Sequence, residues 1–380
     1  MPRLDAAALP AYRALQRHLD RQPVGFPAVR SGADLRLLAR LFTPDEARLA
    51  LFLTSMPQST AALAAAAAAE FTSAQAAALL AAMLQRGSIG WKQRDGEDCW
   101  HLLPLVVGMY EGQDGKPSRA YLRDAGAYLR APAYGISFIA VRPSQMRTIP
   151  VNSAVTAEHA VATYDQLDAL VAAAREPIVV LPCICRAASR TRGTTCTVTA
   201  REETCIAFGD AAAAVLRRGN GRRITRAEAL AIFRENEQDG LVLQPANARR
   251  PEFICSCCGC CCGMLAVHKL LPRPLDFWTT SHQLVVTAAR CTGCGRCRSR
   301  CQVGALTLAG GMVRIDRRRC LGCGLCVGHC PTAALRLTPR PAAAVPPADD
   351  EALTAAIAAN KRGWPARLLM LAKLALRLPQ

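Results

Sequence analysis

The sequence predicts a multidomain α+β protein: a helical domain over 1–135, a cysteine-rich α/β domain over 136–280, a third domain with a duplicated cysteine motif over 281–340, and a linker with a basic helix over 341–380. Three observations predict it. The 19 cysteines fall one, ten and eight into the first three blocks. A cysteine motif near the C-terminus recurs after 29 residues, which marks an internal duplication. A Pro/Ala stretch over 338–347 then separates these blocks from the tail as a semi-rigid linker.

Within the first block, residues 44–56 read as a helix with Thr43 as its cap and Pro44 at its first position. Helices over 60–70 and 73–86 follow, the second stopped by Gly87. Two short apolar runs, 89–92 and 99–102, flank the polar turn 94–98. Three helices followed by a two-stranded wing is a winged-helix order. DNA binders need Lys and Arg to neutralise phosphates. Here residues 44–109 carry six acids and four bases, and helix 73–85 carries no charge, so docking rather than nucleic-acid binding is expected.

The eight C-terminal cysteines carry the clearest chemistry. Cys291, Cys294, Cys297 and Cys301 have the spacing C-x2-C-x2-C-x3-C, and Cys320, Cys323, Cys326 and Cys330 repeat it. Gly293/Gly322, Gly295/Gly324, Ala305/Ala334, Leu306/Leu335 and Leu308/Leu337 stay in register. Three thiolates two residues apart wrap one cubane only if the loop turns tightly, which the intervening glycines permit. The fourth cysteine lies past the turn and serves the other cluster. Cys291, Cys294, Cys297 and Cys330 are therefore expected to hold one [4Fe–4S] cluster, and Cys320, Cys323, Cys326 and Cys301 the second. C-x-x-C pairs also bind zinc, but the triple-plus-one spacing belongs to clusters. This segment resembles the bacterial two-cluster ferredoxin domain. It departs at Gln302, where that domain usually has Pro, while Pro331 keeps its place.

The net charge of +18 concentrates in the same region. Between 284 and 340 ten arginines face one acid, Asp316, so this stretch carries +9. A patch of that density attracts an acidic partner, and an acidic redox protein or subunit is expected. Positive charge beside cluster loops also favours the reduced, more negative cluster.

A second set of thiols fills the middle block: Cys183, Cys185, Cys196, Cys205, and a run from Cys255 through Cys257, Cys258, Cys260, Cys261 and Cys262. It follows a helix expected over 156–175 and a strand expected over 177–181, and strand-end loops are where α/β folds place cofactors. Cys183, Cys185, Cys196 and Cys205 with Cys257, Cys258, Cys260, Cys261 and Cys262 are the candidate ligands of a further iron–sulfur centre; zinc and inert buried thiols are the alternatives. Ten thiols exceed what one cubane takes, so some are spare or two centres share the region. Arg186 is a candidate for lowering thiolate pKa. Glu202, Glu203 and His329 read as surface residues, and His268 and Cys99 receive no role. Residues 146–272 resemble an uncharacterised family of prokaryotic 4Fe–4S proteins, through Ile149-Pro150-Val151, Cys183-Ile-Cys185-Arg186, Cys205-Ile-Ala-Phe208-Gly209, Gly240-Leu-Val242, Asn247 and the run from Ile254 to Cys262. The resemblance implies metal binding.

The N-terminus has no basic-then-apolar secretory signal, and no apolar run is long enough for a spanning helix. A reducing cytoplasmic setting, where clustered cysteines bind metal, is the expectation. The tail over 364–378 reads as a short helix carrying Arg367, Lys373 and Arg377. It is expected to dock onto protein, with peripheral contact to a membrane surface as the alternative. The expected function is electron transfer by an iron–sulfur protein or redox subunit. An oxidoreductase with substrate chemistry at the middle centre and a cluster-sensing transcription regulator are the competing readings. Neither G-x-G-x-x-G nor a P-loop occurs, so neither NAD nor ATP is inferred.

Overall fold

A computed structural model describes residues 6–113, 117–154, 163–341 and 344–379. Its N-terminal part packs around its own core of Leu15, Leu38, Leu41, Leu63, Leu80 and Met83. Thr43 caps the helix Pro44–Leu49: its side chain accepts from the Glu46 N–H, and Glu46 accepts from the Thr43 N–H at 2.7 Å. That helix ends at Leu49, short of residue 56. Burial of Leu49, Ala50 and Leu53 tightens the chain into a 3-10 turn over Ala50–Phe52 and sends Leu53 out extended. Helices Thr60–Ala66 and Ser73–Gln85 follow, capped by Ser59 and Thr72. Strands β1 (Gln58–Ser59), β2 (Ile89–Arg94) and β3 (Glu97–Leu102) form an antiparallel sheet with β3 central.

The β2–β3 hairpin is turned inward. Lys92, 6% exposed, pairs with Glu252 at 2.7 Å, Arg94 pairs with Asp210 and Glu351, and the Arg217 guanidinium lies 3.9 Å from the Trp91 ring centroid. Its basic side chains are thus spent on other parts of the same molecule.

The middle part holds β4 (Arg147–Thr148), β5 (Ile178–Pro182), β6 (Glu203–Phe208), β7 (Arg222–Arg223), β8 (Val242–Pro245) and β9 (Phe253–Cys257). Five of these make one sheet in the order β7-β5-β6-β9-β8, and every neighbouring pair is antiparallel. This corrects the expected α/β arrangement. After β5 the chain forms helix Ile184–Thr191 and a loop, then folds back beside the strand instead of crossing the sheet. The crevice rule for parallel sheets therefore does not position the cysteines. The expected helix 156–175 lies partly outside the described residues; its described part is a 3-10 turn, Thr163–Asp165, and helix Leu167–Ala173.

The C-terminal part contributes β10 (Thr279–Thr280), β11 (His282–Val286), β12 (Leu306–Ala309), β13 (Met312–Ile315) and β14 (Leu335–Pro339). β10 pairs parallel with β4, β11 antiparallel with β14, and β12 with β13. Residue 280 is no break in packing, because Ile178, Ile206 and Ile254 share one core with Leu284, Val303, Leu337 and Met370. Met370 belongs to helix Trp364–Ala375, which lays this residue on the core and leaves Trp364, Leu368 and Leu369 exposed. Among the described residues no helix is long and apolar enough to cross a membrane.

Between linker and tail lies a helix the sequence reading missed, Asp350–Ala359, capped by Asp349 and buried through Leu353 and Ile357. Its Asp350 Oδ1 is buried, and burial, then Glu252, push Asp350 up to about 7 while Lys92 pulls it down. Asp349 raises it further, Glu351 shares Lys92 with it, and Arg147 also lies within electrostatic reach. The folded protein holds this proton up to about pH 7, whereas the unfolded chain releases it near 4. Stability therefore falls as pH rises through that window and levels above it. Asp350→Asn should stabilise the fold more at pH 8 than at pH 5.5, by about 2 kcal/mol, read as a larger rise in melting temperature at pH 8. Equal gains at both pH values would contradict the assignment.

Candidate metal centres

The duplicated loops bring the C-terminal cysteines together in two groups. Cys291, Cys294, Cys297 and Cys330 line one small cavity, walled by Leu308, Val313 and Leu335. Cys301, Cys320, Cys323 and Cys326 line another, walled by Leu284, Val303 and Leu337. Each triplet thus sits with the fourth cysteine of the other half. The turns depend on glycine: Gly322 has φ +63°, and a Cβ there would lie 2.1 Å from the His282 carbonyl oxygen. The in-register alanines have a matching role. The Ala305 N–H donates to Cys301 Sγ at 3.2 Å and the Ala334 N–H to Cys330 Sγ at 3.3 Å. Such bonds to sulfur are a means of tuning a bound cluster.

The two groups differ in exposure. Cys294 is exposed, whereas Cys320 and Cys326 are buried in the shared core. The Val151 N–H donates to the Cys323 carbonyl at 2.9 Å, fixing the second loop against the middle part. Three of the ten arginines are bonded inside the molecule, two of them to the middle part and one within the C-terminal part. Arg300 donates to the carbonyls of Glu237 and Gln238, Arg319 to those of His268, Lys269 and Leu271, and Arg340 to those of His282 and Cys320. The other seven arginines are exposed, as is His329.

In the middle field, strand geometry sorts the thiols. Alternation places Cys255 and Cys257 on one face of β9 and Ser256 on the other. The β6–β9 register, Ile206 opposite Ile254, carries Cys205 alongside Cys255. Cys183 immediately precedes helix Ile184–Thr191, and Cys185 lies in its first turn. The outcome is a closed relay of neighbouring thiols, each shifting the ionisation of the next: Cys183 and Cys185, Cys185 and Cys262, Cys262 and Cys257, Cys257 and Cys255, Cys255 and Cys205, and Cys205 and Cys183. Cys255 is not among the ligands expected from sequence, although its i, i+2 spacing to Cys257 in a strand is the signal for it. The remaining four thiols, Cys196, Cys258, Cys260 and Cys261, gather separately, all within 4.8 Å of one another. Ten thiols thus divide into six and four.

Arg186 supplies positive charge to the six. It is 6% exposed, donates to the Ser256 carbonyl and to Thr204 Oγ1, and is held beside Cys183, Cys205 and Cys258. Hydrogen bonds with Cys183 and Cys255, aided by Arg186, hold Cys205 well below the ordinary thiol range. Asn236, fully buried, locks the framework by donating to the Thr204 carbonyl and to Ser256 Oγ. Glu202 and Glu203 pair with Arg190 and Arg222 at the surface. His268 is fully buried edge-on against Trp278.

Cys183, Cys205, Cys255, Cys257 and Cys262 also line a cavity of about 330 Å³ between the N-terminal part, the middle sheet and helix Asp350–Ala359. Glu111 lies on its wall, accepts from the Gly108 N–H at 2.8 Å, and is pushed up to about 7 by burial. Neighbouring Val107 has φ +63°, a costly conformation for a β-branched residue. Neither Glu111 nor the strained loop was visible in the sequence.

One comparison bears on these centres. Residues 290–334 match the 4Fe-4S dicluster domain. The chain is an iron–sulfur protein. The match covers the duplicated loops and leaves the middle field outside it. No curated protein and no solved structure matches the chain.

Proposed function

We propose that the protein transfers electrons through two [4Fe–4S] clusters at the duplicated loops to a further iron–sulfur centre in the middle part. One contact carries this reading. Gln302, which follows Cys301, accepts a hydrogen bond from the Gly259 N–H at 2.8 Å, between Cys258 and Cys260. A Cβ on Gly259 would lie 2.3 Å from the Gln302 carbonyl oxygen, so the two loops approach as closely as their backbones allow. The departure from Pro at 302 thus has a physical reason: its side chain bridges the end of the first loop, where Cys301 turns to the second cluster, and the loop of the middle thiols.

The exposure difference gives the path a direction. The group around exposed Cys294 faces an acidic redox partner across the arginine surface, and the buried group around Cys320 passes electrons inward. Nucleic acid has no part in this reading, since the hairpin's basic residues are already paired internally. Anaerobic stopped-flow reduction by an acidic iron–sulfur donor tests it. The first phase should slow with ionic strength. Gln302→Leu should leave that phase unchanged and slow reduction of the middle centre by about tenfold, the effect of roughly 1.4 kcal/mol on a barrier. An unchanged second phase would refute the bridge.

The 330 Å³ cavity favours a second reading, in which the middle centre does substrate chemistry. An iron with a coordination position open to this cavity would bind a small molecule there. Binding of a small exogenous ligand such as cyanide that perturbs only the middle centre's spectrum would support it.

A further inference from the structure

We infer that Cys196, Cys258, Cys260 and Cys261 form a separate site for one tetrahedral metal ion, zinc or iron, distinct from any cluster. The inference deepens the proposed function, since it fixes which six thiols are left for the middle redox centre.

The argument is one of size. A single ion bound by four thiolates at about 2.3 Å places its sulfurs at the corners of a tetrahedron with edges of about 3.8 Å. Here Cys196 Sγ lies 3.7 Å from Cys258 Sγ and 3.5 Å from Cys260 Sγ, and Cys260 Sγ lies 3.6 Å from Cys261 Sγ. All four fall within 4.8 Å of one another. A cubane presents a different iron to each thiolate, so its ligand sulfurs stand farther apart than those around one ion. A disulfide would use only two of the four. Soft thiolates in tetrahedral S4 geometry select zinc or iron.

The surroundings fit a small anionic site. Four thiolates on a divalent ion leave two negative charges, and Lys269 Nζ, which donates to the Gly259 carbonyl at 2.7 Å, stands beside the loop that supplies three of them. Cys196 comes from the loop after helix Ile184–Thr191, and the other three come from the turn between β9 and helix Gly263–Leu270. The ion would pin these two segments together. It would also hold Gly259, and through it Gln302, in place. Its role is then structural support for the bridge and for the framework of the six-thiol relay.

The test uses the full chain purified anaerobically, with metal and inorganic sulfide measured per chain. Cys260→Ser/Cys261→Ser should lose one metal ion with sulfide unchanged, and Cys196→Ser alone should do the same. Protein produced in cobalt-supplemented medium should show tetrahedral tetrathiolate cobalt absorption that both variants abolish. Loss of sulfide together with iron would assign these thiols to a cluster and overturn the inference. So would an unchanged metal content or absent cobalt bands. Failure of the proposed function reads differently. Wild-type sulfide of only about eight per chain would remove the middle cluster, while the sulfide-free ion would remain.

Discussion

Cys291→Ala and Cys320→Ala are each expected to lose one cubane, about four irons and four sulfides per chain. The two losses should differ in consequence. Cys320 is 9% exposed within the shared core, beside Leu321 and Leu325, so its cluster braces buried structure. Cys291→Ala should leave a folded chain with the second cluster reducible, whereas Cys320→Ala should also lower the unfolding temperature and cut off the middle centre. The grouping of the fourth cysteines sharpens the test. Cys330→Ala should remove the same EPR signal as Cys291→Ala, because Cys330 shares a cavity with Cys291, Cys294 and Cys297. Behaviour like that of Cys320→Ala would show that each half ligates its own cluster. Release of zinc with iron unchanged would remove the clusters altogether.

The duplicated loops were legible because their constraints are local. Spacing sets which thiols share a turn, and glycines at fixed offsets meet the left-handed backbone at Gly322 and Gly324. The six-and-four division was not legible, because it depends on distant partners. Cys205 meets Cys255 only through a register between strands 50 residues apart, and Cys196 reaches Cys258 through a loop without regular structure. Helix Asp350–Ala359 announced itself by acids at its start, yet its burial depends on Lys92 and Arg94, far away in sequence. Gln302 stood out as a departure, but its reason is Gly259. The expected boundary at 280 followed from cysteine spacing, whereas packing across it follows from apolar residues on both sides. Cutting the chain there would expose that core, so substitutions in the full chain are the sounder experiment.

Cys205→Ser in the full chain is expected to remove the middle cluster and leave both C-terminal clusters intact. Cys205 occupies the link between Cys183 and Cys255, so its loss opens the relay of six beside Arg186. The charge balance ties the thiolate form of the relay to metal. Six thiolates in a buried site would carry six negative charges against the single positive charge of Arg186, and uncompensated buried charge is prohibitive. Without metal the relay therefore stays largely protonated, as small apolar side chains that hold no iron. With iron, the cations replace those protons and the same six sulfurs become ligands. Ten clustered thiols left bare would also be prone to oxidation. Wild-type protein should accordingly contain more than about eight inorganic sulfides per chain, the number two cubanes supply. Cys205→Ser should bring the value to about eight, with the EPR signals of the C-terminal clusters unchanged. A wild-type value already at eight, or a Cys205→Ser protein with its full sulfide content, would leave the relay as buried thiols and end the electron path at the second cluster.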